Sequence, residues 1–223
     1  NNETNGIVHL FHGMAEHMDR YDELVKALNL QGYDVLRHNH RGHGKNIDEN
    51  ERGHFNDMTQ VVDDAYEIVE TIYDSHFELP YIVLGHSMGS IIARLFVKQY
   101  PQFANGLILT GTGMFPKWKG IPTLVLLKLI TMILGKRRRV KWVNRLMNKS
   151  FTKKIDQPQT ESDWLSTKRE EVNKFIDDEY CGFRVSNQLI YQTVKYMMDT
   201  ANVKSLKQMN HNLPILLLSL IHI

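Results

Sequence analysis

The sequence predicts an α/β chain, a mostly parallel sheet with helices on both faces and a helical insertion late in the chain. Three observations carry that reading. Short β-branched and aliphatic runs alternate with helical patterns, as expected where crossover helices cover a parallel sheet. A strand-to-helix junction reads Gly85-His86-Ser87-Met88-Gly89. About a hundred residues between Thr110 and Pro214 hold several helical patterns and no clear strand, more than one crossover requires.

The elements follow in order. Ile7-Val8-His9-Leu10-Phe11 reads as a buried strand. The next stretch places Tyr21, Leu24, Val25 and Leu28 on one helical face, with Gly32 placed to stop it. The run 33–38 is the second strand. A longer helix over about 58–73 carries Val61, Val62, Ala65, Ile68, Val69 and Ile72 at helical spacing. Tyr81-Ile82-Val83-Leu84 is the third strand, followed by a helix that ends near Tyr100-Pro101. The runs 106–110 and 214–217 complete five parallel strands. The predicted division is a first core part at 1–114, a helical cap at 115–206, the core resuming at 207–217 and a non-native tail at 218–223.

At the third junction, the glycines remove Cβ atoms where the backbone must bend sharply, so that a serine hydroxyl can point out of the sheet. Ser87 is therefore the candidate nucleophile, with Gly85 and Gly89 as the elbow glycines. A glycine-rich turn with a merely capping serine is the alternative. Acyl transfer also needs two main-chain N–H groups aimed at the developing oxyanion. Met88, directly after the serine, supplies one candidate donor. Met14, in the loop His12-Gly13-Met14-Ala15-Glu16-His17 after the first strand, supplies the other. The two methionine side chains are expected to line an acyl pocket or fill core.

Taken together, the segments HGMAEH at 12–17, HNHRGHG at 38–44 and GHSMGS at 85–90 resemble the α/β-hydrolase family. The subgroup is that of monoacylglycerol lipases, lysophospholipases and serine-aminopeptidase-type hydrolases. The stretch 163–183 is similar to a cap segment of bacterial members. Asn39 stands where the family usually has an acidic residue, a change expected to affect local hydrogen bonding rather than chemistry. The resemblance implies a carboxylic ester substrate, a monoacylglycerol or lysophospholipid. The same-fold alternative is a peptidase, which needs an acidic anchor for the substrate's ammonium group. Asp163, Glu170, Glu171, Asp177, Asp178 and Glu179 are its candidates. A lipid-binding or interaction protein with a degenerate elbow is the non-catalytic reading.

In this architecture the chain order is serine, then Asp or Glu, then His. No carboxylate lies between Leu213 and His222, so the catalytic acid and base are expected to be absent from this chain, leaving it nearly inert. Residues 218–223 match the translation of a transposon-end sequencing adapter, so a non-native tail is expected there and His222 is not expected to be the base. The start at Asn1, without an initiator methionine and almost directly on a core strand, predicts a missing N-terminus. The other histidines are assigned polar structural roles.

Composition narrows the field further. With 42% hydrophobic and 23% charged residues, the 223-residue chain can bury a substantial core. One cysteine, Cys181, excludes an internal disulfide and a multi-cysteine metal site; it is expected to be buried. No metal and no cofactor are expected. The apolar run 121–134 is too short to span a bilayer and is broken by Pro122 and Lys128. Lys136, Arg137, Arg138, Arg139 and Lys141 follow it. That pairing suits transient membrane-surface contact through the cap. It equally suits a helix packed on the core with a solvated basic turn. No aromatic platform accompanies the basic run, so nucleic acid is not an expected partner. Trp118, Trp142 and Trp164 are expected as core anchors. Cytoplasmic or membrane-peripheral placement is expected.

Overall fold

Alternation within the strands sorts side chains onto two faces of the sheet. In β1 (Gly6–Phe11), Ile7 and Phe11 join the large buried cluster, while Val8 and Leu10 face the other side. The computed structural model describes residues 4–76, 78–153 and 155–218. Its strands β1, β2 (Tyr33–Arg37), β3 (Tyr81–His86), β4 (Gly106–Thr110) and β5 (Ile215–Leu218) form one sheet in the order β2-β1-β3-β4-β5. Every pairing is parallel. This is the expected α/β sheet. Residues 219–223, and His222 with them, lie outside the described residues.

The layer over the larger cluster is built by α2 (Met58–His76) and α3 (Met88–Gln99). Val61, Val62, Ala65 and Val69 of α2 are fully or almost fully buried, as their helical spacing predicts. Helix α3 is buried along nearly its whole length, from Met88 to Val97. On the opposite face, Tyr21 and Leu28, before and within α1 (Asp22–Leu30), pack over Val8, Leu10 and Leu84.

Between β4 and β5 the chain forms α4 (Lys117–Leu134), α5 (Lys141–Thr152), α6 (Arg169–Asp177), α7 (Asn187–Thr200) and α8 (Val203–Leu206). No strand interrupts them among the described residues. Leu189, Ile190 and Val194 of α7 enter the large cluster, so this helix anchors the insertion on the core. Helix α4 is different. Gly120, Leu127, Ile130 and Thr131 are buried, but Trp118 is 73% exposed, Met132 71% and Ile133 77%. Trp118 and Trp142 are thus surface residues rather than core anchors, because α4 and α5 each bury only one narrow stripe. Trp164, half-buried, packs against Phe151 with tilted rings, centroids 4.9 Å apart.

The basic turn is neither simply solvated nor free. Arg139 donates to the carbonyls of Glu49, Asn50 and Arg52, and Arg137 pairs with Glu51 at 2.5 Å. Three backbone acceptors engage the Arg139 guanidinium, so this side chain clamps the 49–52 loop.

Candidate functional site

Ser87 sits between β3 and α3 with φ 52° and ψ −117°. This is a sparsely populated conformation for a residue with a Cβ, costing of order 1–3 kcal/mol. Ser87 occupies the N-cap position, yet its side chain makes no capping bond. Among the described residues its hydroxyl has no hydrogen-bond partner, and the residue is half-buried. A serine selected for capping would accept from an N–H one turn on. The structural bonds fall to its neighbours instead: Ser90 Oγ donates to Ser87 O (2.6 Å), and Ser87 N–H donates to Thr110 O (2.9 Å).

Two glycines permit this bend. A Cβ on Gly89 would overlap the carbonyls of Phe11 and His12, at the end of β1. A Cβ on Gly85 would lie 2.5 Å from Gly89 O and 2.8 Å from Ala93 Cβ. The first turn of α3 is therefore pressed onto the end of β1 and the start of the 12–17 loop, the loop that carries Met14. Among the described residues neither the Met88 N–H nor the Met14 N–H has an acceptor. The Met88 side chain is buried in the core, whereas Met14 is half-buried.

The loop that carries Met14 is held on both sides. Gly13 N–H donates to Glu16 Oε1 at 2.5 Å, and the Tyr21 hydroxyl donates to the same oxygen at 2.6 Å. Arg20 pairs with Glu16 Oε2. Gly13 has no room for a Cβ, since Glu16 Oε1 would lie 2.6 Å away. On the far side, Ala15 N–H donates to His43 Nε2 (3.2 Å). In the sequence reading Glu16 and Arg20 carry no role, Tyr21 stands only on an apolar helical face and His43 has only a polar structural role. The spacing Gly13 to Glu16 was its one available signal. Replacing Glu16 with alanine is expected to destabilise the fold by about 2 kcal/mol, because it strands a half-buried guanidinium and a buried N–H. Urea unfolding measures that loss, and Glu16→Gln, which keeps an acceptor oxygen, should recover part of it.

Histidines form a buried layer beneath this loop. His12 Nδ1–H donates to Gly13 O (2.8 Å), while its Nε2 accepts the His40 N–H (3.0 Å). His43 Nδ1–H donates to Arg41 O (2.9 Å) and leaves Nε2 for Ala15. His9 joins Tyr81 and His38 in a hydrogen-bonded chain. Both His12 and His43 must stay neutral to accept a backbone N–H. Burial pushes His12 and His40 well below the ordinary histidine range, and His38 and His43 down to about 4. The assigned structural role fits these rings. His86, with Nδ1 2.7 Å from Thr110 Oγ1, is likewise tied to β4.

A lowered folded-state value means the unfolded chain binds protons that the native state refuses. Stability is therefore expected to fall as pH drops from about 6.5 towards 4, by up to about 1.4 kcal/mol per pH unit for each such histidine. Urea midpoints at about pH 7.5 and about pH 5 test this.

Other expectations resolve here as well. Asn39 Oδ1 accepts the Met18 N–H (2.9 Å), a local hydrogen-bonding role. Cys181 is buried, and Gly182 N–H donates to Ala15 O (2.9 Å), tying the inserted segment to the Met14 loop. A cleft of about 700 Å³ is lined by Arg137, Arg138, Arg139, Phe183 and Arg184 and does not include Ser87.

The chain matches the family described as serine aminopeptidase, S33 (Hydrolase_4) over residues 2–219. It is 34% identical over 134 residues to a monoacylglycerol lipase of Mycolicibacterium smegmatis, covering 60% of this chain and 46% of that one. A Mus musculus monoglyceride lipase is 35% identical over 130 residues, 57% of this chain and 42% of the relative. The matched region thus spans less than half the length of these curated relatives. Among solved structures, a thermostable carboxyl esterase from Bacillus coagulans in complex with glycerol superposes with a TM-score of 0.85 at 29% identity. That superposition covers 96% of this chain and 70% of the esterase. The parallel sheet, the strained serine between β3 and α3 and these matches agree: the chain belongs to the serine aminopeptidase, S33 family and has the α/β-hydrolase fold.

Proposed function

We propose that the whole protein is a serine hydrolase of carboxylic esters, acting on monoacylglycerol or lysophospholipid through an acyl-enzyme on Ser87. The observation that carries this reading is the Ser87 backbone, at φ 52° with no capping bond, followed by the unpaired Met88 N–H on a helix turn pressed against the start of the loop that carries Met14. Strain of that kind persists only where surrounding contacts impose it. Here they hold a hydroxyl at the start of a helix.

In the proposed reaction, Ser87 Oγ attacks the ester carbonyl and its proton passes to a general base. The carbonyl oxygen, now an oxyanion, is received by the Met88 and Met14 N–H groups. The alcohol leaves with a proton, and water then releases the fatty acid from the acyl-enzyme. Among the described residues no histidine nitrogen is hydrogen-bonded to Ser87. We assign base and acid to a His and an Asp or Glu following β5 in chain order.

Ester cleavage is favoured over peptide cleavage because the acidic anchor candidates are largely occupied. Asp163 binds Arg169 and two backbone N–H groups, Asp178 binds His17, and Glu170 and Glu171 both pair with Lys174. The test is covalent labelling of the whole protein with a fluorophosphonate. Labelling is expected at Ser87 and should vanish in Ser87→Ala; an unreactive wild type would support a binding module instead.

Contact with a membrane surface is part of the same proposal. Trp118, Ile121, Val125, Met132 and Ile133 expose apolar surface along α4, with Lys117, Lys119 and Lys128 on the same helix. No described helix is long and apolar enough to cross a membrane. Insertion of one exposed face to headgroup depth fits that pattern. The double change Trp118→Ser with Ile133→Ser is expected to cut binding to anionic vesicles about tenfold or more in a flotation assay, given about 25 cal/mol per Å² of apolar area.

A further inference from the structure

Three side chains of different chemistry converge at the junction between the Met14 loop and the inserted segment. His17 comes from the loop, Asp178 and Cys181 from the turn after α6, and one ligand atom of each lies within 4.8 Å of the others. His17 and Cys181 are buried, and Asp178 is partly open to solvent. We propose that His17, Asp178 and Cys181 form a zinc site that fastens the 178–182 segment to the loop carrying Met14.

The donor set argues for the metal. Imidazole, thiolate and one carboxylate together suit Zn²⁺, whereas Ca²⁺ and Mg²⁺ prefer oxygen ligands throughout. With Zn–N and Zn–O near 2.1 Å and Zn–S near 2.3 Å, neighbouring ligands of a tetrahedral site stand about 3.4–3.8 Å apart. His17 Nε2 and Asp178 Oδ2 are 2.8 Å apart, so admitting the ion needs that pair to open by roughly half an ångström, and the widest pair, within 4.8 Å, to close by about 1 Å. That is within the reach of two side-chain torsions.

A second observation points to a ligand here. His17 Nδ1 is buried and has no hydrogen-bond partner, although Asp19 Oδ2 lies 3.6 Å from it. Lys45, 2.9 Å from Asp19, holds that carboxylate in place. In the hydrogen bond to Asp178, Nε2–H is the donor, and Nδ1 faces the Asp19 carboxylate without a hydrogen bond. Metal binding at Nε2 reverses this. The proton moves to Nδ1 and can be donated to Asp19, the carboxylate–histidine–metal arrangement that orients zinc ligands elsewhere. Charge balances: neutral His17, the Asp178 carboxylate and the Cys181 thiolate offset Zn²⁺, and one proton leaves the thiol for solvent. Residue spacing could not reveal the site, since His17 and Asp178 are 161 positions apart.

The experiment titrates metal-stripped protein with Zn²⁺ alone and, separately, Co²⁺ alone. One equivalent of Zn²⁺ is expected to bind and raise the thermal midpoint. Co²⁺ should produce a thiolate-to-cobalt charge-transfer band. Cys181→Ser, nearly isosteric, should abolish the band and weaken Zn²⁺ binding on the order of 100-fold, and Asp19→Asn about tenfold. Far-UV circular dichroism checks that each variant folds, and Asp178→Asn serves if Cys181→Ser does not. Absence of the band in the wild type overturns the proposal. So does Zn²⁺ binding that these substitutions leave unchanged, as exposed histidines such as His211 would give.

Discussion

Replacing Ser87 with alanine in the whole protein is expected to lower kcat by about 10⁶-fold, leaving only the residual acceleration that binding and oxyanion contacts supply. The size follows from the proposed covalent step: without Oγ there is no acyl-enzyme, and the Met88 and Met14 N–H groups stabilise an oxyanion that forms only through direct attack by water. The companion variant separates chemistry from strain. Ser87→Gly should be equally inactive, yet more stable than Ser87→Ala by about 1 kcal/mol, because only glycine adopts positive φ without a Cβ penalty. In a chain of this size that is a rise in thermal midpoint of about 2–4 °C. Equal midpoints for the two variants would show that the φ of 52° carries no strain. Undiminished turnover by Ser87→Ala would remove the nucleophile assignment altogether.

Substituting Gly89 with alanine should damage both stability and turnover. The added Cβ meets the carbonyls of Phe11 and His12, the last residue of the central strand β1, itself paired with β3, and the first of the loop that follows. Rigid backbone cannot yield as a flexible side chain can. The helix must retreat, and the expected destabilisation is about 1–3 kcal/mol. Retreat also moves the Met88 N–H away from the Met14 loop. A misplacement of about 1 Å at such a site costs about 10²-fold in rate. Denaturant midpoints and ester turnover should fall together. Gly106→Ala provides the control: its added Cβ meets nothing nearer than 3.7 Å, at Ile82, so only a small change is expected. A stable, fully active Gly89→Ala would mean that the elbow tolerates displacement and that the donor geometry proposed here is wrong.

The strands were legible because each pairs an apolar run of the right length with a turn signal, and the observed sheet follows that pattern from β1 to β5. The elbow was legible for the same reason: Gly85, Ser87 and Gly89 have a chemistry that only a sharp strand-to-helix bend requires. The tryptophans were misread. Hydrophobicity alone assigned Trp118 and Trp142 to the core, but exposure depends on what stands opposite a helix, and nothing in the residues of α4 or α5 states that. The basic run was half read, since the carbonyls that Arg139 engages lie nearly ninety residues away.

What the sequence alone determined is local: which segments extend, which coil, and where a hydroxyl is set at a bend. It could do so because backbone preference and side-chain alternation act between near neighbours. What only the tertiary structure decided is which distant groups meet. Glu16 gathers Gly13, Arg20 and Tyr21 around the candidate donor loop, His43 secures Ala15, and His17 reaches across to Asp178. Those contacts depend on how loops at the carboxyl ends of separate strands converge, a consequence of strand order and close packing that no single stretch of residues encodes.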